Sequence, residues 1–193
     1  MKLVAPKLSY IEKTSFEECL KKMKFQDVHI DQNIQQRTII QDLTFDGCFF
    51  ENIDFTKVSL KHLDLIDVTF DKCDLSNQNF DHQYLNRVQF KNCKLTGTCQ
   101  GRYSNLSSSQ LLNVMFDHCD LQEASFYDAN FKKIQFNETN LIQSELASLH
   151  HKGLDLSTCQ IQGAMFDLAS LKGLIINDFQ AVDLIGILGV KVK

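Results

Sequence analysis

Residues 64 to 95 read DLIDV-TFDKC-DLSNQ-NFDHQ-YLNRV-QFKNC-KL, and the beat of this stretch decides the fold. Leu65, Phe70, Leu75, Phe80, Leu85, Phe90 and Leu95 stand five residues apart without a miss. Two residues before most of them comes something small or apolar: Leu63, Val68, Cys73, Val88 and Cys93. An α-helix repeats its buried face every 3.6 residues and a strand every 2, so a strict period of five with one large apolar residue per beat is neither. Each unit has to turn a corner.

The beat runs outward in both directions. Backward it takes Phe55, Phe50, Phe45 and Ile40, misses at Gln35, and resumes with Ile30, Phe25 and Leu20. Forward it loses a residue of phase after Leu95, with Gln100 in an apolar slot, and holds from Leu106 to Ile176 with one miss at His151. The slot two residues earlier is again small or apolar at Val114, Cys119, Ala124, Ala129, Ile134, Cys159, Ala164 and Ala169, and the positions after each large residue are mostly polar. Two inward slots and three outward ones make the wall of a solenoid.

Units such as CDLSN, ANFKK, CDLQE, TNLIQ and LDLST resemble those of the pentapeptide-repeat family, over residues 20–176 and on about thirty in-phase positions. The resemblance implies an all-β solenoid, a right-handed quadrilateral β-helix of about eight coils with four units per coil. Residues 1–19 are then an irregular cap and residues 177–193 a carboxyl-terminal helix and dimerisation tail. The units around Gln35, Gln100 and His151 are expected to be distorted.

The remaining composition supports one domain. Eight Gly and a single Pro leave no linker in 193 residues. The amino-terminal stretch lacks the apolar run of a signal peptide or membrane span, so a cytoplasmic protein is expected. Five of the seven cysteines, Cys48, Cys73, Cys93, Cys119 and Cys159, fill the small inward slot, the behaviour of a free thiol used as a small hydrophobe. The Asp and Asn residues that precede the large one, among them Asp54, Asp74, Asn79, Asp120, Asn140 and Asp155, suit corners and are structural before they are functional.

Both ends depart from the beat. Ser15-Phe-Glu-Glu resembles a capping box, with Phe16, Cys19, Leu20 and Met23 on one side of a short helix, although Leu20 also fits the beat. At the other end Asp178 is an N-cap candidate and Gly189 a stop. Phe179, Val182, Leu184, Ile185 and Leu188 give an apolar helix, and Val190 to Val192 reads as a short strand. This tail resembles that of the Qnr-like quinolone-resistance branch, which implies a homodimer through Phe179, Val182, Leu184, Ile185, Leu188, Val190 and Val192. The apolar excess agrees with that independently.

Nothing in the sequence assembles chemistry. Six histidines are scattered, no Cys-x-x-Cys or phosphate-binding glycine motif occurs, and a filled β-helix has no internal cavity. The expectation is a non-enzymatic binder without cofactor, metal, membrane, nucleic-acid or small-molecule partner. Lys and Arg against Asp and Glu give +2 for residues 1–40, −6 for 41–82, +4 for 83–110, −4 for 111–148 and zero for 149–193. The resemblance brings in type II topoisomerases, DNA gyrase and topoisomerase IV, as protein partners and duplex-DNA mimicry as a mode. A rod near 38 Å long would need on the order of twenty negative charges to match a duplex, and the net of −4 falls far short. Mimicry is therefore confined to one acidic face. Candidate partner contacts are Asp46, Glu51, Asp71, Asp81, Asp117, Glu123 and Asp128, with Arg102 and Tyr103 on the segment that breaks phase. That segment, Gly97 to Asn105, is either a loop standing off the wall or a one-residue insertion that the wall absorbs. If it stands off, limited proteolysis should cut first near Arg102 or at the termini, and rapid cutting between Phe70 and Phe90 would contradict it.

Overall fold

A computed structural model of the chain describes residues 3–8, 11–96 and 104–190, without the side chain of Leu188. Eleven strands and two α-helices lie in it. The strands are β1 (Glu12–Lys13), β2 (Phe25–Gln26), β3 (Val28–Ile30), β4 (Thr38–Gln41), β5 (Thr44–Asp46), β6 (Phe49–Glu51), β7 (Val58–Lys61), β8 (Asp64–Asp71), β9 (Tyr84–Lys91), β10 (Gln110–Asp117) and β11 (Asn130–Asn137). The helices are α1 (Phe16–Lys22) and α2 (Asp178–Ile185).

All pairing is parallel and joins one coil to the next. Phe25 pairs with Phe45, Phe45 with Leu65, Leu65 with Leu85, Leu85 with Leu111 and Leu111 with Phe131, a ladder of six rungs. The molecule is a right-handed quadrilateral β-helix with about six turns of strand, against the eight coils expected. The difference lies at the carboxyl end. Beyond Asn137 the coils keep the twenty-residue step through isolated bridges such as Asn130 to His150, Asn140 to Gln160 and Asp155 to Ile175, without a further strand.

The corner is made by the residue two after the large one. There the backbone takes a left-handed conformation at Asp67, Arg87, Asn113 and Lys133, with φ between 54 and 63°, so each of the eight-residue strands β8 to β11 bends in the middle and covers two faces. Gly47 occupies the same column, and a Cβ there would stand 2.5 Å from Oδ1 of Asp27. The other two faces are turns, apart from the β4–β7 pair near the amino-terminal end. On them the Asp or Asn before the large residue accepts from the N–H two residues on: Asp54 from Thr56, Asp74 from Ser76, Asn79 from Asp81, Asp120 from Gln122, Asn140 from Ile142 and Asp155 from Ser157. These side chains tie corners as expected, but the left-handed dihedral belongs to a different position of the unit.

The interior is filled by the large residues. Phe50, Phe70, Phe90, Phe116 and Phe136 form one column, with ring centroids 4.8 to 5.1 Å apart and planes within 14° of parallel. Gln35 is exposed, and the space it leaves is taken by Phe16 of α1, whose ring stacks on Phe50 at 5.7 Å and meets Phe55 edge-on at 5.7 Å. Ser15 caps α1 by accepting from the N–H of Glu18. The helical reading therefore holds Leu20, and the first rung of the ladder is Phe25. His151 is half-buried in its slot, with Nε2 2.7 Å from the carbonyl of Ser170 and Nδ1 accepting from the N–H of Leu154, between buried Leu149 and Leu154.

The break in phase is a true insertion. Leu85 and Leu111 are partners twenty-six residues apart, where every other rung is separated by twenty. Asn77 donates to Thr96 and Asn105 donates to Gln78, so the register leaves room for one residue where residues 97–103 stand. The step is therefore six residues longer than its neighbours, more than a one-residue insertion. Gln100, Arg102 and Tyr103 lie outside the described residues.

Because Phe70 is sandwiched between Phe50 and Phe90 and has no solvent contact, Phe70→Ala should cost about 3–5 kcal/mol in denaturant unfolding. The outward Lys91→Ala should change stability by less than about 0.5 kcal/mol.

Candidate functional site

The outward side chains form columns whose membership is set by the ladder. Glu51 pairs with Asp71, Asp71 with Lys91, Lys91 with Asp117 and Asp117 with Asn137, so three of the candidate acids share one column. Lys91 interrupts it. Each acid is also engaged by the wall: Glu51 by His29 at 3.1 Å, Asp71 by the side-chain amide of Asn92 at 3.1 Å, and Asp117 by His118 at 3.1 Å and Asn137 at 3.2 Å. Asp46 stands in a different column, beside Ile66. Glu123 and Asp128 sit at left-handed corners, Asp128 facing His150 at 3.3 Å, and Asp81 lies on a turn face beside His82. The seven acids do not merge into one acidic face, because a five-residue period deals successive units to different sides of the coil.

One corner column carries an ion pair that the sequence did not advertise. Asp67 and Arg87 are twenty residues apart and meet through two hydrogen bonds, one of 2.6 Å from Nη2 to Oδ2. The N–H of Lys7 donates to Asp67 at 2.8 Å and that of Val4 to Asn113 at 3.4 Å, so the described amino-terminal residues lie across this corner as a strap. Burial raises the Asp67 carboxyl, but Arg87 and the Lys7 N–H outweigh it and hold the group below the usual carboxylate range.

On the turn faces the wall opens into a groove of about 880 Å³ between two coils, lined by Thr56, by residues 58–62 and by residues 76–79 and 81–83. Its cause is Gln78, which occupies the small inward slot that Ala124 takes two coils on. The Gln78 side chain lies inside and replaces the backbone ladder: its Oε1 accepts from the N–H of Leu60 at 3.0 Å, and its Nε2 donates to the carbonyls of Phe55 and Val58 at 2.9 and 2.8 Å. Gln83, in the next small slot, donates to Asn79 at 3.0 Å. Both break the rule of the slot within the stretch quoted first, which was the available signal.

At the carboxyl end Asn177, not Asp178, caps α2, in a reciprocal capping box with Gln180. Asp178 has no role as a cap because the helix begins with it. Nε2 of buried Gln180 donates to Leu156 and Cys159, both at 2.8 Å, which closes the last coil. The expected interface set divides. Leu184 is buried against the coil and Ile185 half-buried, whereas Phe179 is 88% exposed and Val182 58%. Val190 is exposed and in no strand; Val192 and the Leu188 side chain are outside the described residues. Gly189 ends a short 3-10 turn, Gly186–Leu188, that follows α2.

Among the described residues no cluster of three His, Cys, Asp or Glu side chains could hold a metal, and no helix is long and apolar enough to cross a membrane. Six cysteines are described, all free and buried. Burial pushes the Cys48 thiol well above its ordinary value, and the neighbouring Cys93 thiol together with burial does the same to Cys119.

The strap gives a pH prediction. A depressed carboxylate stabilises the fold fully above its unfolded value and loses that contribution as pH falls through its folded one. The thermal midpoint of the unaltered chain should therefore drop relative to Asp67→Asn between about pH 5 and pH 2. Parallel curves for the two proteins would contradict it.

Residues 63–146 match the family model of the pentapeptide repeat region. No curated protein sequence matches. Among solved structures, the chain is similar to a trypsin-treated form of QnrB1, a plasmid-mediated fluoroquinolone resistance protein, with 19% identity over 86% of this chain and 99% of that one and a TM-score of 0.46. Full-length QnrB1 gives 16% identity over 94% and 97% of the two chains, TM-score 0.41. A pentapeptide repeat protein from the thylakoid lumen of Arabidopsis thaliana gives 24% identity over 62% and 72%, TM-score 0.31. With the five-residue beat and the four-sided coil, the match makes residues 63–146 of this chain a pentapeptide repeat region.

Proposed function

We propose that this pentapeptide-repeat scaffold is a non-enzymatic, cytoplasmic protein binder that works as a homodimer and engages a type II topoisomerase, DNA gyrase or topoisomerase IV, lessening its inhibition by quinolones. The observation that supports binding over chemistry is the filled coil. Its interior is occupied by stacked Phe and Leu side chains, which leaves the outward columns as its surface for contact. The acidic column Glu51, Asp71 and Asp117 is the part of the wall that would face a surface made to hold DNA. Three acids with a lysine among them fit a local contact, not imitation of a whole duplex. QnrB1 is a fluoroquinolone resistance protein by its description, which agrees with this choice of partner. No cofactor, nucleic acid, membrane or small-molecule substrate enters the proposal.

Dimerisation would use α2. Phe179 and Val182 are three residues apart, so they share one face of the helix, and that face points away from the last coil. A two-fold contact makes such a patch self-complementary and closed, which yields a discrete dimer and not a fibre. A second reading keeps the dimer and gives it an unrelated protein partner, favoured by the engagement of each column acid by the wall itself.

Light scattering should give twice the chain mass, and Phe179→Asp with Val182→Asp should give monomer. Supercoiling by gyrase in ciprofloxacin should recover as protein is added, with the drug mass unchanged. Absence of protection and of gyrase binding at about micromolar protein, the range expected for a transient contact, would leave the second reading.

A further inference from the structure

The groove on the turn faces is a seam in the backbone ladder. β7 pairs below with β4, but among the described residues no backbone hydrogen bond joins Val58–His62 to Gln78–Gln83 above it. In neighbouring coils the corresponding groups are all taken. Asp42 N–H donates to Lys61 and His82 N–H to Ser107, while Asp74 N–H donates to Ile53 and Asn105 N–H to Gln78. At the seam the equivalent N–H groups of His62 and Asn79 find no acceptor among the described residues. Gln83, 5% exposed, lines the same groove, and its Oε1 is buried without a donor.

We infer that this seam receives an extended peptide segment of another protein, recognised through its main-chain amides. The unmet groups select the ligand. Two backbone donors call for acceptors and one buried acceptor calls for a donor, and an amide supplies both. A phosphate or carboxylate could satisfy the N–H groups but would leave Gln83 Oε1 unpaired, with Asp81 on the rim opposing it. Gln78 already occupies Leu60 N–H and the Phe55 and Val58 carbonyls, so an extended segment would lie along the outer lips and meet only the groups that remain, His62 N–H, Asn79 N–H and Gln83 Oε1. The inference goes beyond the topoisomerase reading and does not depend on which protein carries the segment.

The same geometry supplies a way to close the seam. Gln78→Ala with Gln83→Ala places in both slots the residue found at Ala124 and Ala129, letting the backbone of the two coils pair directly. Ser59→Trp covers the groove from outside and serves should the double variant fail to fold. Random twelve-residue peptides displayed on phage are panned against the intact chain, and the strongest binder is synthesised. It should slow amide exchange at His62 and Asn79 by about tenfold or more, and bind the sealed or covered variant at least about tenfold more weakly. A binder that leaves both amides unprotected, or one that holds the altered chain as tightly, would overturn the inference. So would failure to enrich any peptide. Inorganic phosphate protecting the two amides where the peptide does not would make the seam an anion site and overturn it as well.

Discussion

Every coil hangs from the next by backbone hydrogen bonds, and this ladder is the constraint from which the rest follows. The pattern recurs at twenty residues: Leu75 donates to Lys94, and Asp74 and Lys94 donate back to Ile53 and Cys73. Buried backbone groups must be paired, so a coil can neither stretch nor shrink while it remains in the wall. Extra residues have to leave as a group and return in phase. The six by which the Leu85 to Leu111 step exceeds its neighbours fall in sequence between Thr96 and Ser104, outside β9 and β10. The strand faces tolerate no such exit. From β8 to β11 the eight-residue segments have the same length and the same bend.

The small inward slot is more than a place for little side chains. Cys73, Cys93 and Cys119 each direct a thiol at the carbonyl of the phenylalanine one coil below, Phe50, Phe70 and Phe90, at 3.3 to 3.5 Å. Thr139 makes the same contact to Phe116 with its hydroxyl at 3.3 Å. These carbonyls have a second lone pair that the ladder leaves free, and a thiol is a weak donor of the right size for it. The column thus explains why Cys and Thr alternate there without any redox or metal chemistry.

Most of this was legible in the sequence, and the exceptions share a cause. Phe70 and Leu85 announce themselves by spacing because a period of five maps directly onto inside and outside. What spacing cannot show is which residues from elsewhere enter a slot the beat leaves vacant. Gln35 marks a defect, but that Phe16 repairs it depends on α1 folding back over the first coil. In the same way Asp67 and Arg87 look like ordinary outward charges until the register puts them in one corner column. The seven acids looked like a wall because the chain bunches them in acidic segments. Proximity along the chain and proximity on the coil differ by the turn of every corner.

Gln78 shows how one side chain decides between a sealed wall and an open one. Two of the serines in the small slot satisfy themselves locally. Ser144 donates to Leu141 at 2.8 Å and Ser109 to Leu106 at 2.5 Å, each closing its own turn over three residues. Glutamine is longer by a methylene and the amide carbon, so its amide overshoots the turn and reaches the coil below, where it takes up Phe55 O, Val58 O and Leu60 N–H. Those bonds take up the middle of the lower coil's edge and leave its His62 N–H open, while the upper coil is held off at Asn79. The result is a wall whose outer lips remain unpaired. Replacing the wedge by a serine-sized side chain would let the lips meet, because nothing else in the groove spans them.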